Sequence, residues 1–301
     1  MTHTTLASRI RGSAFPRATR ATRATRATVG RSAALLLLAT HPVLTQVVGA
    51  ARTRADSSAP APLFTMHDAL IAAGFAGATI IAFPFDKRIA HYLENNSTQA
   101  NHFFDHAATG LEAFASPGAY VIGGGLYVVG RVGHYSRLAD LGLHGTEAVL
   151  VGDVVTGLLK GLAGRSRPFV SLDSNPHDFK FGRGFSSDAR TSFPSGHTTT
   201  AFAAAAAVTA ETSRWWPGST WVVGPVMYGG ATLVGLSRMY HNKHWASDVA
   251  LGAAIGTFSG QKVAQFNHSH PNNAINRMLL STSILPNGTG GAMLSWTVPL
   301  P

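Results

Sequence analysis

Residues 69–85, 114–130, 198–210 and 219–237 contain no charged side chain, and segments 138–160 and 249–266 are apolar with a few scattered charges. Little in these runs alternates with the period of a strand, so they predict helices, and the chain is expected to be all-α, a six-helix bundle. Apolar helices of this kind must be covered by one another or by lipid. A membrane span takes about 20 apolar residues, and several of the runs sit at or below that limit, so length leaves the surrounding solvent open. Composition points the same way, with 45% hydrophobic and 13% charged residues and a mean hydropathy of +0.11.

The net charge of +10 is concentrated at the start of the chain. Residues 1–31 hold seven arginines (Arg9, Arg11, Arg17, Arg20, Arg23, Arg26, Arg31) and no acid. Residues 17–28 read RAT four times over, a repeat too short and too polar to build a core. An apolar run with small residues at its end follows, giving residues 1–51 the pattern of a basic region and a secretory signal cleaved near Ala50, or of an uncleaved anchor. Residues 52–65 read as a linker, 66–266 as the functional domain, and 267–301 as a short irregular tail with a strand-like end at 292–298. No basic face with interleaved aromatics follows the arginines, so nucleic acid is not an expected partner. The absence of cysteine excludes disulfides, thiolate nucleophiles and Cys-based metal sites.

Topology adds a constraint. A cleaved signal, six spans and an outward-facing site are mutually incompatible, because counting six spans from an exported start puts the site in the cytoplasm. The expected location is a bacterial-type cell envelope. Either the inner membrane holds the protein with its site facing the periplasm, or a cleaved signal releases a soluble or peripheral periplasmic protein. Arg131 and Arg137 lean toward a cytoplasmic loop between the second and third segments.

Charged groups with no evident structural need gather between Lys160 and Asp248. Lys160, Arg167 and Arg238 are fixed cations, and arginine can hold an oxyanion in a planar fork. Ser195 and Gly196 open a helix, where free backbone N–H groups suit an anion. Together they describe a pocket for phosphate or an analogue. His244 and Asp248 are four residues apart, so on a helix they would share a face, with the carboxylate holding one imidazole nitrogen and the other free to attack phosphorus. His197, in the first turn of another helix, can protonate the leaving oxygen.

Three stretches, KGLAGRSRP (160–168), PSGH (194–197) and SRMYHNKHWASD (237–248), together resemble the signature of the type 2 phosphatidic acid phosphatase (PAP2) superfamily. That family also holds bacterial non-specific acid phosphatases and vanadium haloperoxidases. The resemblance implies His244 as a nucleophile forming a phosphohistidine, Asp248 orienting it, and His197 as general acid. Lys160, Arg167, Ser195, Gly196 and Arg238 would bind phosphate. The expected enzyme is a metal-independent phosphatase without cofactors, acting on phosphomonoesters or diphosphates. Apolar helices beside the site favour a membrane-associated protein and a lipid phosphate such as phosphatidate or a polyprenyl diphosphate. The alternatives are a periplasmic acid phosphatase for soluble esters and a vanadate-dependent haloperoxidase. Phe179, Phe181 and Phe185 in the intervening loop would contact an acyl chain or anchor the loop, while Lys180, Arg183 and Arg190 would steer phosphates inward. A metal site on His241, His244 and Asp248 has ligand-like spacing but lies among cations that repel a dication. Ser195 lacks the Gly-x-Ser-x-Gly elbow of a serine hydrolase.

Overall fold

A computed structural model describes residues 62–170, 175–280, 282–286 and 292–296. The arginine repeat, the signal-like segment and most of the linker lie outside the described residues. The elements in chain order are α1 (Met66–Ala82), α2 (Asp86–Leu93), α3 (Asn96–Gln99), α4 (His102–Ala115), α5 (Gly118–Val132), α6 (Ser136–Ala163), α7 (Gly196–Trp215), α8 (Thr220–Tyr240), α9 (Ala246–Ser269) and α10 (Ala274–Leu279). The strands β1 (Thr282–Pro286) and β2 (Ala292–Trp296) then pair antiparallel, with Ile284 opposite Leu294.

The six apolar segments fall mainly on α1, α5, α6, α7, α8 and α9, with the first running past the end of α1 and the second beginning at the end of α4, so the expected helical bundle is present. Two parts differ from expectation. Helices α2, α3 and α4 occupy the polar stretch between the first two apolar segments. Asn95 and Asn101 start two of these helices by accepting first-turn N–H groups, a signal carried by residue type rather than by hydropathy. The tail, expected to be irregular, extends α9 to Ser269 and adds α10 and the hairpin, whose second strand lies within the strand-like end at 292–298.

What positions the site is the seam between α7 and α9. Gly252, Gly256 and Gly260 recur every four residues, which puts them on one face of α9. A Cβ on Gly252 would lie 2.6 Å from the Ser195 carbonyl, one on Gly256 2.3 Å from the Thr199 carbonyl, and one on Gly260 2.5 Å from the Ala203 carbonyl. No side chain fits there, and the facing residues of α7, Ala203, Ala206 and Ala207, are themselves small and buried. The helices therefore pack nearly backbone to backbone, and the start of α7 is fixed against the start of α9. The Ser195 amide donates to the Asp248 carbonyl at 3.0 Å across that junction. At the far side of α9, Lys262 pairs with Asp68 of α1 at 2.6 Å. Asp68 also closes the α1 capping box with Thr65.

Among the described residues one helical stretch, Met66–Leu93, is long and apolar enough to cross a membrane. The number becomes two if α4 and α5, bent by 45°, count as one span. Helices α6 and α8 nonetheless carry exposed apolar side chains, among them Val154 and Leu158, and Trp221, Val226 and Leu236.

Gly256→Ala should lower stability by about 1–3 kcal/mol, the cost of overpacking a closed seam. Gly157→Ala on α6, where a Cβ meets nothing within 4 Å, should be neutral or stabilising by about 0.5–1 kcal/mol. Thermal melts of the two variants check this, and equal effects would contradict the account of the seam.

Candidate active site

Helix α6 ends at Gly164, which adopts φ 57° in the left-handed region. A Cβ there would sit 1.9 Å from the Lys180 carbonyl, so both conformation and space call for glycine. The turn leaves Lys160 in the last turn of α6 and sends the chain directly into Arg165 and Arg167. Lys160 Nζ donates to the Thr191 carbonyl at 2.6 Å. Arg167 Nη2 donates to the Thr191 hydroxyl at 2.7 Å and to Asp188 at 2.9 Å, so one residue fixes both cations. Ser195 stands at the N-cap of α7, but its hydroxyl accepts from Thr198 at 2.8 Å instead of capping the helix. The first-turn amides of Gly196, His197 and Thr198 have no acceptor within their own helix, as at every helix start. Arg238, near the end of α8, is ion-paired with Glu112 of α4.

His244 lies just before α9, not on it, and this changes how it is held. Its Nδ1 is 2.6 Å from the Ser192 carbonyl, while the nearest Asp248 oxygen stands at 3.6 Å. The helical four-residue spacing expected for the pair does not apply, because the chain turns at Trp245. A carbonyl can only accept, so Nδ1 carries the proton and Nε2 keeps its lone pair. Asp248 acts on the same loop from behind, with Oδ2 accepting from Ser192 Oγ at 2.5 Å and from the Trp245 amide at 2.8 Å.

Arg165, within one of the motifs but unassigned from sequence, holds this arrangement. Its side chain is fully buried. It donates to Asp248 Oδ1, to Ser247 Oγ at 2.7 Å and to Asp86 of α2 at 2.7 Å. The rings of Phe83, Phe179, Phe193 and Trp245 surround its guanidinium at 4.7–5.8 Å, a cation–π cage. No spacing rule links Asp86 to Arg165 or Ser192 to His244, so these partners had no sequence signal.

The electrostatics follow from burial and crowded cations. Burial pushes His244 down to about 3, with Lys160 adding to the effect. Burial likewise brings His197 down to about 4, reinforced by Arg238, Lys160 and Arg167. Lys160 itself falls to about 7, through burial and then Arg167. Burial alone would raise Asp248, but Arg165 and hydrogen bonds hold it low. Both imidazoles are thus neutral near pH 7, in surroundings that favour an anion. Arg167 Nε and Arg238 Nε are buried and make no hydrogen bond within the protein. Two donors of this kind need an acceptor.

The eight residues singled out from sequence, Lys160, Arg167, Ser195, Gly196, His197, Arg238, His244 and Asp248, gather at one end of the bundle. The metal trio does not form. His241 turns to Glu112 at 2.8 Å and Asp105 at 3.2 Å, away from His244. In the loop, Phe179 packs on Phe193 at 5.8 Å and one edge of Phe185 lies against Gly161, while all three phenylalanines keep exposed surface, Phe181 the most. Arg190 is engaged by Asp178 at 2.9 Å, which ties the loop to itself.

Residues 142–270 match the PAP2 superfamily. A lipid A 1-phosphatase of Porphyromonas gingivalis is 42% identical over 76 residues, 24% of this chain and 16% of that protein, so the match spans a small part of the relative's length. Among solved structures, a transmembrane PAP2-type phosphatidylglycerolphosphate phosphatase from Bacillus subtilis aligns at 20% identity and a TM-score of 0.43. That alignment covers 64% of this chain and 96% of its own. Aquifex aeolicus LpxE aligns at 23% identity and a TM-score of 0.39, covering 54% and 86%.

Arg165→Met leaves two buried carboxylates facing each other without a cation. It should cost about 3–5 kcal/mol of stability, the usual result of breaking a buried ion pair from one side. Asp86→Asn keeps the Arg165–Asp248 contact and should cost less. Thermal melts distinguish the two, and a harmless Arg165→Met would remove the clamp from the account.

Proposed function

We propose that this chain, whose residues 142–270 match the PAP2 superfamily, is a phosphatase hydrolysing lipid phosphates through a phosphohistidine on His244. The observation that carries this reading is the pair of orphaned guanidinium donors, Arg167 Nε and Arg238 Nε, together with a His244 whose Nδ1 is taken by the Ser192 carbonyl and whose Nε2 keeps its lone pair. The phosphoryl oxygens take those donors, the Lys160 ammonium and the amides at the start of α7. His244 Nε2 attacks phosphorus as the bond to the ester oxygen breaks, and His197 gives that oxygen a proton. The imidazole becomes cationic as it forms the N–P bond, and the Ser192 carbonyl and Asp248 carboxylate offset that charge. Water then attacks phosphorus, His197 takes its proton, the N–P bond breaks and inorganic phosphate leaves. His244 is regenerated neutral and His197 protonated. The fixed cations supply the charge stabilisation a metal would otherwise provide, so the chemistry is metal-independent.

A cavity of about 840 Å³ supports a lipid substrate. Its wall includes Phe103, Phe104, Leu233, Leu236 and Tyr240, and also Ser237 and Met239, the neighbours of Arg238 in sequence. An acyl or prenyl chain seated there would have its phosphate beside the cradle. The candidate span and the exposed apolar faces of α6 and α8 support a membrane location.

A panel of phosphatidate, a polyprenyl diphosphate, a lipid A phosphate and p-nitrophenyl phosphate tests the substrate class. The best lipid should exceed the aryl ester in kcat/KM by about 10–100-fold, equivalent to about 1.4–2.7 kcal/mol. Leu236→Asp should lower the lipid value while sparing the aryl one. Equal turnover of all four would point to a non-specific phosphatase. His197→Ala should slow alkyl esters more than aryl esters, whose leaving oxygens need no acid, and equal losses would remove the general-acid assignment.

The histidine shifts also set a pH dependence. The acid must be protonated, so activity is lost as pH rises through its pKa. In the free enzyme that value is about 4 for His197, and a bound phosphate anion lifts it by offsetting the cations. The alkaline limb of kcat/KM should therefore lie at lower pH than that of kcat. Coincident limbs, or limbs unchanged in His197→Ala, would contradict the assignment.

A further inference from the structure

A second cluster lies at the other end of α6, α7 and α9. His144 precedes Lys160 by 16 residues and Glu211 follows His197 by 14, which at the rise of a helix is roughly 20–25 Å from the phosphate cradle. Glu211 has no exposed side-chain surface, and two imidazoles bracket its carboxylate. His144 Nδ1 stands 2.8 Å from Oε1, and His268 Nε2 stands 2.9 Å from Oε1 and 2.8 Å from Oε2. The three ligand atoms lie within 4.8 Å of one another. A single cation with bonds of about 2.0–2.2 Å can contact all three after shifts of a fraction of an ångström.

Two further observations point to a cation. His144 Nε2 and Glu147 Oε1 are both buried and without a hydrogen-bond partner. They sit three residues apart on one face of α6. If His144 Nδ1 binds a metal, its proton moves to Nε2, and a carboxylate is the usual partner for that outer N–H. The arrangement would satisfy both orphaned atoms. Glu147 is itself held by Asn267 Nδ2 at 2.7 Å, and Asn267 by Asn273 at 2.7 Å. Charge agrees as well: Glu211, Glu147 and Asp140 converge here, against Arg131 from α5. His268 also forms part of the wall of a cavity of about 390 Å³, together with Gln261, Gln265 and Arg214. An ion would enter from that cavity past the His268 ring.

We propose that His144, Glu211 and His268 bind one divalent transition-metal ion of the zinc class, which pins the ends of α6, α7 and α9 away from the phosphate chemistry. A donor set of two imidazoles and one carboxylate suits zinc and cobalt better than magnesium or calcium. The site works by holding three helices whose packing fixes His197 and His244.

Chelator-treated, tag-free full-length protein titrated with Co²⁺ tests this, followed by thermal melts with Zn²⁺. One equivalent of Co²⁺ should give the intense visible bands of a four-coordinate site, and Zn²⁺ should displace it and raise Tm. Glu211→Gln and His268→Ala should weaken Co²⁺ binding at least 100-fold, while His270→Ala, an exposed neighbour, should leave it unchanged. Where Glu211→Gln fails to fold, the partly exposed His268→Ala decides. Absence of the bands, or binding that survives His268→Ala, would overturn the proposal and leave the trio a hydrogen-bonded network alone.

Discussion

A guanidinium with no exposed surface, that of Arg165, sits between Asp86 and Asp248 inside a cage of four aromatic rings. Burying such a group is expensive unless every donor finds an acceptor, and here the acceptors come from three separated parts of the chain. Asp86 lies just after α1, the Pro176 carbonyl in the loop and Asp248 on α9. The clamp therefore joins the start of α2, the loop and the start of α9 into one piece. Asp248 passes the constraint on through Ser192 to His244. The proposed nucleophile thus depends on a residue it does not touch.

The seam of glycines on α9 supplies the other half of this positioning. Close approach of α7 and α9 fixes Ser195 against Asp248, and the loop clamp fixes Ser192 against His244. With both in place, the cations have few ways to rearrange, and an anion is what relieves them. The low pKa values of both histidines and of Lys160 come first from burial and then from crowded cations, and a bound phosphate would offset the crowding. The apolar cavity whose wall includes Ser237 and Met239, the sequence neighbours of Arg238, would be the partner of the proposed lipid chain.

How much of this was legible in sequence follows from the range of each interaction. Lys160, Arg167, Ser195–His197, His244 and Asp248 could be singled out because they lie in short motifs, but the helical pairing expected of His244 and Asp248 gave way to the Ser192 carbonyl. The six apolar helices were legible from hydropathy. The connection of His244 to Ser192 was not, since it spans a loop and depends on His244 lying outside the helix. Asp86 and Glu112, the partners of Arg165 and Arg238, come from polar helices that a hydropathy reading passes over. His268 sat in a tail with no apparent chemistry, and only the packing of three helices gives it His144 and Glu211 as neighbours.

The central claim is that His244 Nε2 becomes covalently phosphorylated. Rapid-quench turnover of a ³²P-labelled lipid phosphate, followed by alkaline proteolysis and peptide mapping, tests it most directly. The account predicts an acid-labile, alkali-stable label on the peptide containing His244, formed within the first turnover and absent from His244→Ala. Label on another residue, or full turnover by the His244→Ala enzyme, would contradict it.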